Sequence, residues 1–185
     1  MRIITTFNSA GWDAFRAGFA RIGEEGPSIM AGLLNAGGLA LRTKTVAAEQ
    51  KQTGIKEGVT ERAQIATEAG AGGLSFRITV HGGNVRLKYF GAKEGGGGVT
   101  AHPWGRSTFY PGAWINSGFR GARRPSPKLG GQVYRRVGSS RLPIEQLHSG
   151  LYLPDELLKG ETLSVWEEGM PMLLDGILTK LAAMT

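Results

Sequence analysis

The chain has 185 residues, 41% hydrophobic and 20% charged, with no cysteine and a net charge of +7. That length and balance predict one folded domain with enough chain to bury a core. Zero cysteines exclude a disulfide framework, a thiolate zinc site and a cysteine nucleophile. Glycine occurs 30 times, about twice ordinary usage, so loops should be plentiful. The opening MRIITTFNSAGWDAF lacks the apolar core of a signal peptide, and no apolar run reaches the length of a membrane span, so a soluble protein made in the cytoplasm is expected.

In chain order, Asn8-Ser9 signal a helix start, followed by Trp12, Phe15, Phe19 and Ile22 on one face as core residues. Gly26-Pro27-Ser28 breaks that pattern and opens a second helix, with a stripe of Ile29, Leu33, Ala36 and Ala40 continuing to Val46 and Ala47 and an end near Gln52. Its small residues suit close packing on a sheet or on a second copy. Thr60 is read as the cap of a short helix running through Ile65, and AGAGG at 69–73 as a flexible joint. LSFRITV (74–80) and VRLKYF (85–90) alternate with period two around HGGN, which predicts a β-hairpin. Residues 93–112 contain GGGG, Pro103 and Pro111 and read as a long loop with short extended pieces, a kind of segment often functional or disordered.

AWIN (113–116) and QVYRRV (132–137) are read as strands joined by FRGARRPSPKLGG, an exposed basic hairpin arm. Leu163, Trp166, Met170, Leu173, Leu174, Ile177, Leu178 and Leu181 predict a C-terminal amphipathic helix, with Pro171 at a kink or in the first turn of a new helix. The fold class is therefore α+β: two N-terminal helices, an antiparallel β-sheet with long loops and a hairpin arm, and the C-terminal helix. We expect a single domain over 1–185, with a helical part (1–53), a sheet with basic loops and arm (74–150) and the closing helix (155–184).

The charge is concentrated. From Val99 to Gly150 there are eight cations, Arg106, Arg120, Arg123, Arg124, Lys128, Arg135, Arg136 and Arg141, against the single acid Glu145, while the remainder holds fourteen of each sign. A local basic surface points to an acidic partner. Catalytic patterns are missing. His81, His102 and His148 lie far apart with no HExxH spacing, and neither GxSxG nor GxxxxGK[ST] occurs. Gly96, Gly98 and Ala101 fit GxGxxG/A, but His102-Pro103-Trp104 follows where a helix should begin, so the match is a coincidence within a glycine run. The carboxylate pairs Glu24-Glu25, Asp155-Glu156 and Glu167-Glu168 are sequence neighbours that do not face each other on a helix, and read as helix-end acids or solvated faces. No enzyme and no cofactor are expected.

Nucleic-acid binding is the rival reading, because Arg123-Arg124, Arg135-Arg136 and Arg141 are interleaved with Tyr110, Trp114, Phe119 and Tyr134. No recognised module for it is spelled out. The order of pieces between Val85 and Leu157 carries another signal: Lys88-Tyr89-Phe90, Gly98-Val99, Trp104-Gly105, Gly112-Ala113-Trp114-Ile115, Val133-Tyr134-Arg135-Arg136, then Ser140-Arg141-Leu142-Pro143-Ile144-Glu145 leading to Leu153-Pro154. Over roughly residues 74–158 this resembles the minor tail protein Z family, the tail completion proteins of long-tailed bacteriophages. The FRGARRPSPKLGG connection is more basic, and the C-terminal helix longer, than that pattern.

The resemblance implies a virion protein at the neck, assembled in the host cytoplasm and needed for head-tail joining and passage of DNA. It also implies a ring, with six copies to match tail symmetry. Its partners would be tail terminator or tail tube proteins, head-tail connector proteins and, in passing, genomic DNA, with no membrane. Arg120, Arg123, Arg124, Arg135, Arg136, Arg141 and Glu145 are then interface candidates, and Arg123, Arg124 and Lys128 candidate DNA contacts. Leu142, Pro143 and Ile144 would form a structural turn, with Leu142 and Ile144 anchored in the core and Arg141 and Glu145 free to pair with a neighbour. Two arginines on DNA from each of six subunits would neutralise about twelve phosphates, a tight grip for a conduit. Most of the basic segment should therefore face protein. The arm and the 93–112 loop should be ordered by neighbours.

Overall fold

In the computed structural model, residues 23–183 are described except 57, 71, 117–118, 121–123 and 126–129. The expected helix carrying Trp12, Phe15, Phe19 and Ile22 lies outside the described residues. A short 3-10 turn (Gly23–Glu25) leads into helix α1 (Gly26–Thr53), with Pro27 in its first turn, where a missing N–H costs nothing. The helix ends at Gly54, in the left-handed region at φ 72°, whose N–H returns to the Gln50 carbonyl at 2.8 Å. After it come α2 (Val59–Ala63), the strands β1 (Gln64–Thr67) to β12 (His148–Tyr152), the single turn α3 (Leu153–Glu156) and helix α4 (Gly160–Ala183). Every strand pairing among the described residues is antiparallel, so the class is mixed α+β.

Helices α1 and α4 run antiparallel. Met30 meets Ile177 and Leu181 at one end, and Gln52 meets Thr162 at the other, its Oε1 accepting from the Thr162 N–H at 3.2 Å and hydroxyl at 3.1 Å. Between them Gly37 faces Leu173, and a Cβ there would lie 2.8 Å from Leu173 Cγ, so the approach is as close as glycine allows. The face that α1 buries is not the expected stripe. Met30, Ala31, Gly38, Leu41, Thr45, Ala48, Glu49 and Thr53 are buried, whereas Ala36, Ala40 and Ala47 are exposed. The polar members of the buried face are affordable because Thr45 and Thr53 donate to the carbonyls of Leu41 and Glu49 one turn back, at 2.8 and 2.5 Å.

The second core lies among the strands: Ile55, Val85, Leu87, Phe90, Val99, Ala101, Ala113, Val133, Leu151 and Leu153. Its wiring corrects several expectations. The two alternating segments do not form a hairpin with each other. β2 (Arg77–Val80) pairs with β1, and β3 (Asn84–Arg86) pairs with the distant β12. Leu87–Phe90 then tightens into a 3-10 turn, which sends both Leu87 and Phe90 inward at three-residue spacing. Period two identified extended chain at 77–80 and at the start of the second segment, failed at 87–90, and could not identify the partner of either strand.

Thr60 does not cap a helix. Gly58 takes that position, Thr60 is buried at the second position of α2, and Ile65 sits exposed on β1. The AGAGG segment is tied at both ends of what is described: Gly70 and Gly73 form a bridge, and Asn35 of α1 accepts from the Ala69 N–H at 2.7 Å while donating to its carbonyl at 3.0 Å. The expected loop at 93–112 is a three-stranded meander of β4 (Lys93–Gly95), β5 (Gly98–Ala101) and β6 (Thr108–Pro111). Gly96 and Gly97, with φ of 60° and 79°, make its first turn, so the GxGxxG match is a hairpin turn followed by a single 3-10 turn (Pro103–Gly105) and not by an α-helix. β7 (Ala113–Asn116) and β10 (Gln132–Arg136) pair as the strands read at 113–116 and 132–137. Pro171 lies inside α4.

Candidate functional site

β10 continues through a tip at 137–143 into β11 (Ile144–Gln146), in register Tyr134 to Gln146, Arg135 to Glu145 and Arg136 to Ile144. Its root is fixed by Val133, which is 1% exposed and packs in the strand core. The tip is closed by the Val137 N–H donating to the Pro143 carbonyl at 3.2 Å, and the Leu142-Pro143 bond is cis. The arginine expected to bond outward is used at home. Arg135 donates from Nε at 3.0 Å and Nη2 at 2.7 Å to Glu145 Oε1, directly across the ladder. Glu145 is therefore not free for a neighbour, a correction that follows from the register.

Leu142 is also corrected. It is 61% exposed, as is Val137, because both sit where the chain has left the sheet and, among the described residues, no other element covers the tip; Ile144 is half-buried and Pro143 exposed. Arg136 and Arg141 are exposed and form no ion pair among the described residues. Arg120 and Arg124 are register partners in the short strands β8 (Phe119–Arg120) and β9 (Arg124–Pro125). Arg123 and Lys128 lie outside the described residues. The structure thus gathers Arg135, Arg136, Arg141, Leu142, Pro143, Ile144 and Glu145 on one hairpin.

Since exposed ion pairs contribute about 0.2–1 kcal/mol, and this one leaves the side chains of Arg135 and Glu145 44% and 42% accessible, the bridge is not what holds the hairpin. Arg135→Ala and Glu145→Ala should each shift the unfolding free energy by under about 1 kcal/mol in urea titration.

Strand alternation puts Gln132, Tyr134 and Arg136 on the face opposite Val133, beside Trp114 of β7, whose ring centroid lies 6.4 Å from that of Tyr134. On this face the Gln132 amide is buried 2.8 Å from that of Gln146. With its oxygen turned toward them, it accepts from Lys88 Nζ and Arg86 Nη1 at 3.1 Å each. Lys88 also lies 5.1 Å over the Tyr89 ring. Sequence reading missed Arg86 and Lys88 as members of the basic surface, since only the pairing of β12 with β3, His148 against Arg86, carries them there.

A second unread group lies under α1. Glu49 is fully buried, and burial pushes its carboxyl up to about 7, against a 2.7 Å hydrogen bond from Gln64 Nε2 and with help from the nearby Glu156. Glu49 Oε1, Gln64 Oε1 and the Thr60 hydroxyl have no partner. With no surface open to solvent, this carboxyl joins α1 to β1. Among the described residues no group of three His, Cys, Asp or Glu side chains is placed to hold a metal, and no helix is long and apolar enough to cross a membrane. The chain matches no family model, no curated protein and no solved structure with which it was compared.

Proposed function

We propose that the protein is a structural tail completion protein at the head-proximal end of a phage tail, docking through the β10–β11 hairpin in a ring at the neck. The observation that carries this reading is the hairpin tip, where Val137 and Leu142 stand exposed at 61% each, next to Arg136 and Arg141, which form no ion pair among the described residues. Large apolar groups flanked by free cations fit an assembly contact better than a solvated turn. The resemblance of the same stretch, Ser140 to Glu145, to the tail completion family supplies the particular assembly.

On this reading the partners are further copies in a ring of six, tail terminator or tail tube proteins, and head-tail connector proteins, with genomic DNA touched only in passage. The place of action is the virion neck after assembly in the host cytoplasm. In a phage carrying this gene, a stop codon at Trp12 should give full heads and full-length tails that stay apart, or joined particles with a defective neck, in negative-stain micrographs. Normal particles of normal infectivity would overturn the proposal.

A second reading, a nucleic-acid-binding protein, is favoured by one observation: Trp114 and Tyr134 share a face with Arg136, beside Lys88 and Arg86. It requires duplex or single-strand binding by the isolated protein whose affinity falls steeply with salt, at a slope of about −0.7 to −0.9 per phosphate contacted.

A further inference from the structure

The hairpin tip has a counterpart elsewhere on the same chain. Helix α4 turns Ile177, Leu181 and Leu173 toward α1, and on the opposite side presents Glu161, Ser164, Glu168, Met172, Asp175 and Thr179 at spacings of three and four, all exposed. Glu161 is taken by Lys51 at 2.7 Å, while Glu168 and Asp175 form no ion pair among the described residues. Met172, between them, is 69% exposed, the highest value among the large exposed apolar side chains of the described residues. The two patches are alike in build and opposite in sign. One sets Val137 and Leu142 among Arg136 and Arg141; the other sets Met172 among Glu168 and Asp175.

We infer that the β10–β11 tip of one copy docks on the outer face of α4 of a second copy, with Val137 and Leu142 against Met172 and the arginines against Glu168 and Asp175. A chain with a net charge of +7 repels its own copies at a distance. Self-association is therefore favoured where a locally acidic patch meets a locally basic one, and α4 offers such a patch in reach of solvent. Because tip and helix face are different surfaces, the contact is heterologous: each copy keeps one of each, and repetition gives a closed ring when the rotation closes. The contact rests on the proposed neck function only for the closure into a ring. The pairing itself stands on the complementary patches.

The natural absence of cysteine makes a clean test. Two single variants of the full chain, Val137→Cys and Met172→Cys, are mixed under mild oxidation. A disulfide-linked dimer should form several-fold faster than in either variant alone, or in a control mixture of Val137→Cys with Thr43→Cys on the exposed side of α1. Adding Arg136→Glu and Arg141→Glu to the first partner should drop the rate to that of the control, and adding Glu168→Lys and Asp175→Lys to the second should restore it. Cross-linking should also weaken at about 1 M salt, where the screening length falls to about 3 Å.

A rate no higher than the control, with both variants folded by circular dichroism, overturns the pairing. So does resistance of Met172→Cys to a thiol reagent, which would mean that the chain itself or another molecule already covers the face. The neck function fails or stands separately, in the micrographs of the stop-codon phage. A specific cross-link beside normal particles keeps the pairing and removes the neck, and the reverse result does the opposite.

Discussion

At pH 8, Glu49→Gln is expected to make the protein more stable than the natural chain by about 3 kcal/mol, and at pH 4 the two should unfold together. The sign follows from which state holds the proton. In the fold the carboxyl titrates at about 7 instead of 4.5, so between those values the folded chain keeps a proton that the unfolded chain has released. Stability then falls as pH rises through that window, and the loss is complete above pH 7. A displacement of that size converts at 1.36 kcal/mol per unit to about 3 kcal/mol. Glutamine keeps the shape, accepts from Gln64 Nε2 through its own oxygen and brings an NH2 to a site where Gln64 Oε1 and the Thr60 hydroxyl lack partners. Urea titrations of both proteins at pH 4, 6 and 8 measure it. A difference that does not change with pH, or a variant less stable at pH 8, would show that Glu49 is not buried as described.

Glu49 also shows why a sequence is read only in part. The start of α1 was legible because Pro27 is a local signal that acts through backbone geometry alone, and its end, expected near Gln52, falls at Thr53 before the left-handed Gly54. Its buried face was not, because Thr45, Glu49 and Thr53 look polar until their hydrogen bonds are known, and Ala36 and Ala40 look buried until the position of α4 is known. Strand β1 was hidden for a related reason: its large apolar residue, Ile65, points to solvent and its buried one is Gln64. β3 was recognised as extended, but its partner, β12, is more than sixty residues away.

The candidate hairpin divides in the same way. Its strand and its charges were legible, since Arg135, Arg136 and Arg141 need only be counted. Which of them is free depends on register: placing Glu145 opposite Arg135 consumes one acid and one base and leaves Arg136 and Arg141 outward. The expectation that Leu142 anchors the turn failed because Pro143 fixes a bend without supplying a wall for the residue before it to pack on. A hydrophobic residue in a turn is ambiguous between core and contact surface, and only the absence of a covering element decides.

Phe90→Ala should cost about 3–5 kcal/mol, the usual range for emptying a fully enclosed aromatic site. Phe90 is 2% exposed among Leu87, Val99 and Val133. How far the gap can close sets where in that range the loss falls, and here the backbone resists closure. The Phe90 carbonyl accepts from His102 N–H at 3.0 Å, and the neighbouring Tyr89 carbonyl accepts from Lys56 N–H at 3.0 Å. The 3-10 turn is thus tied both to the segment after β5 and to the chain leaving α1, so collapse would break bonds in two directions. A loss under about 1 kcal/mol in urea would mean that these ties yield and the cluster repacks. Leu142→Ala is the informative companion. At an exposed tip it should change stability by no more than about 0.5 kcal/mol, yet weaken cross-linking to a second copy, because its apolar surface is buried only between copies. One leucine, expected in the core from the proline beside it, and one phenylalanine enclosed by the strands should then separate cleanly: the first matters to assembly and the second to folding.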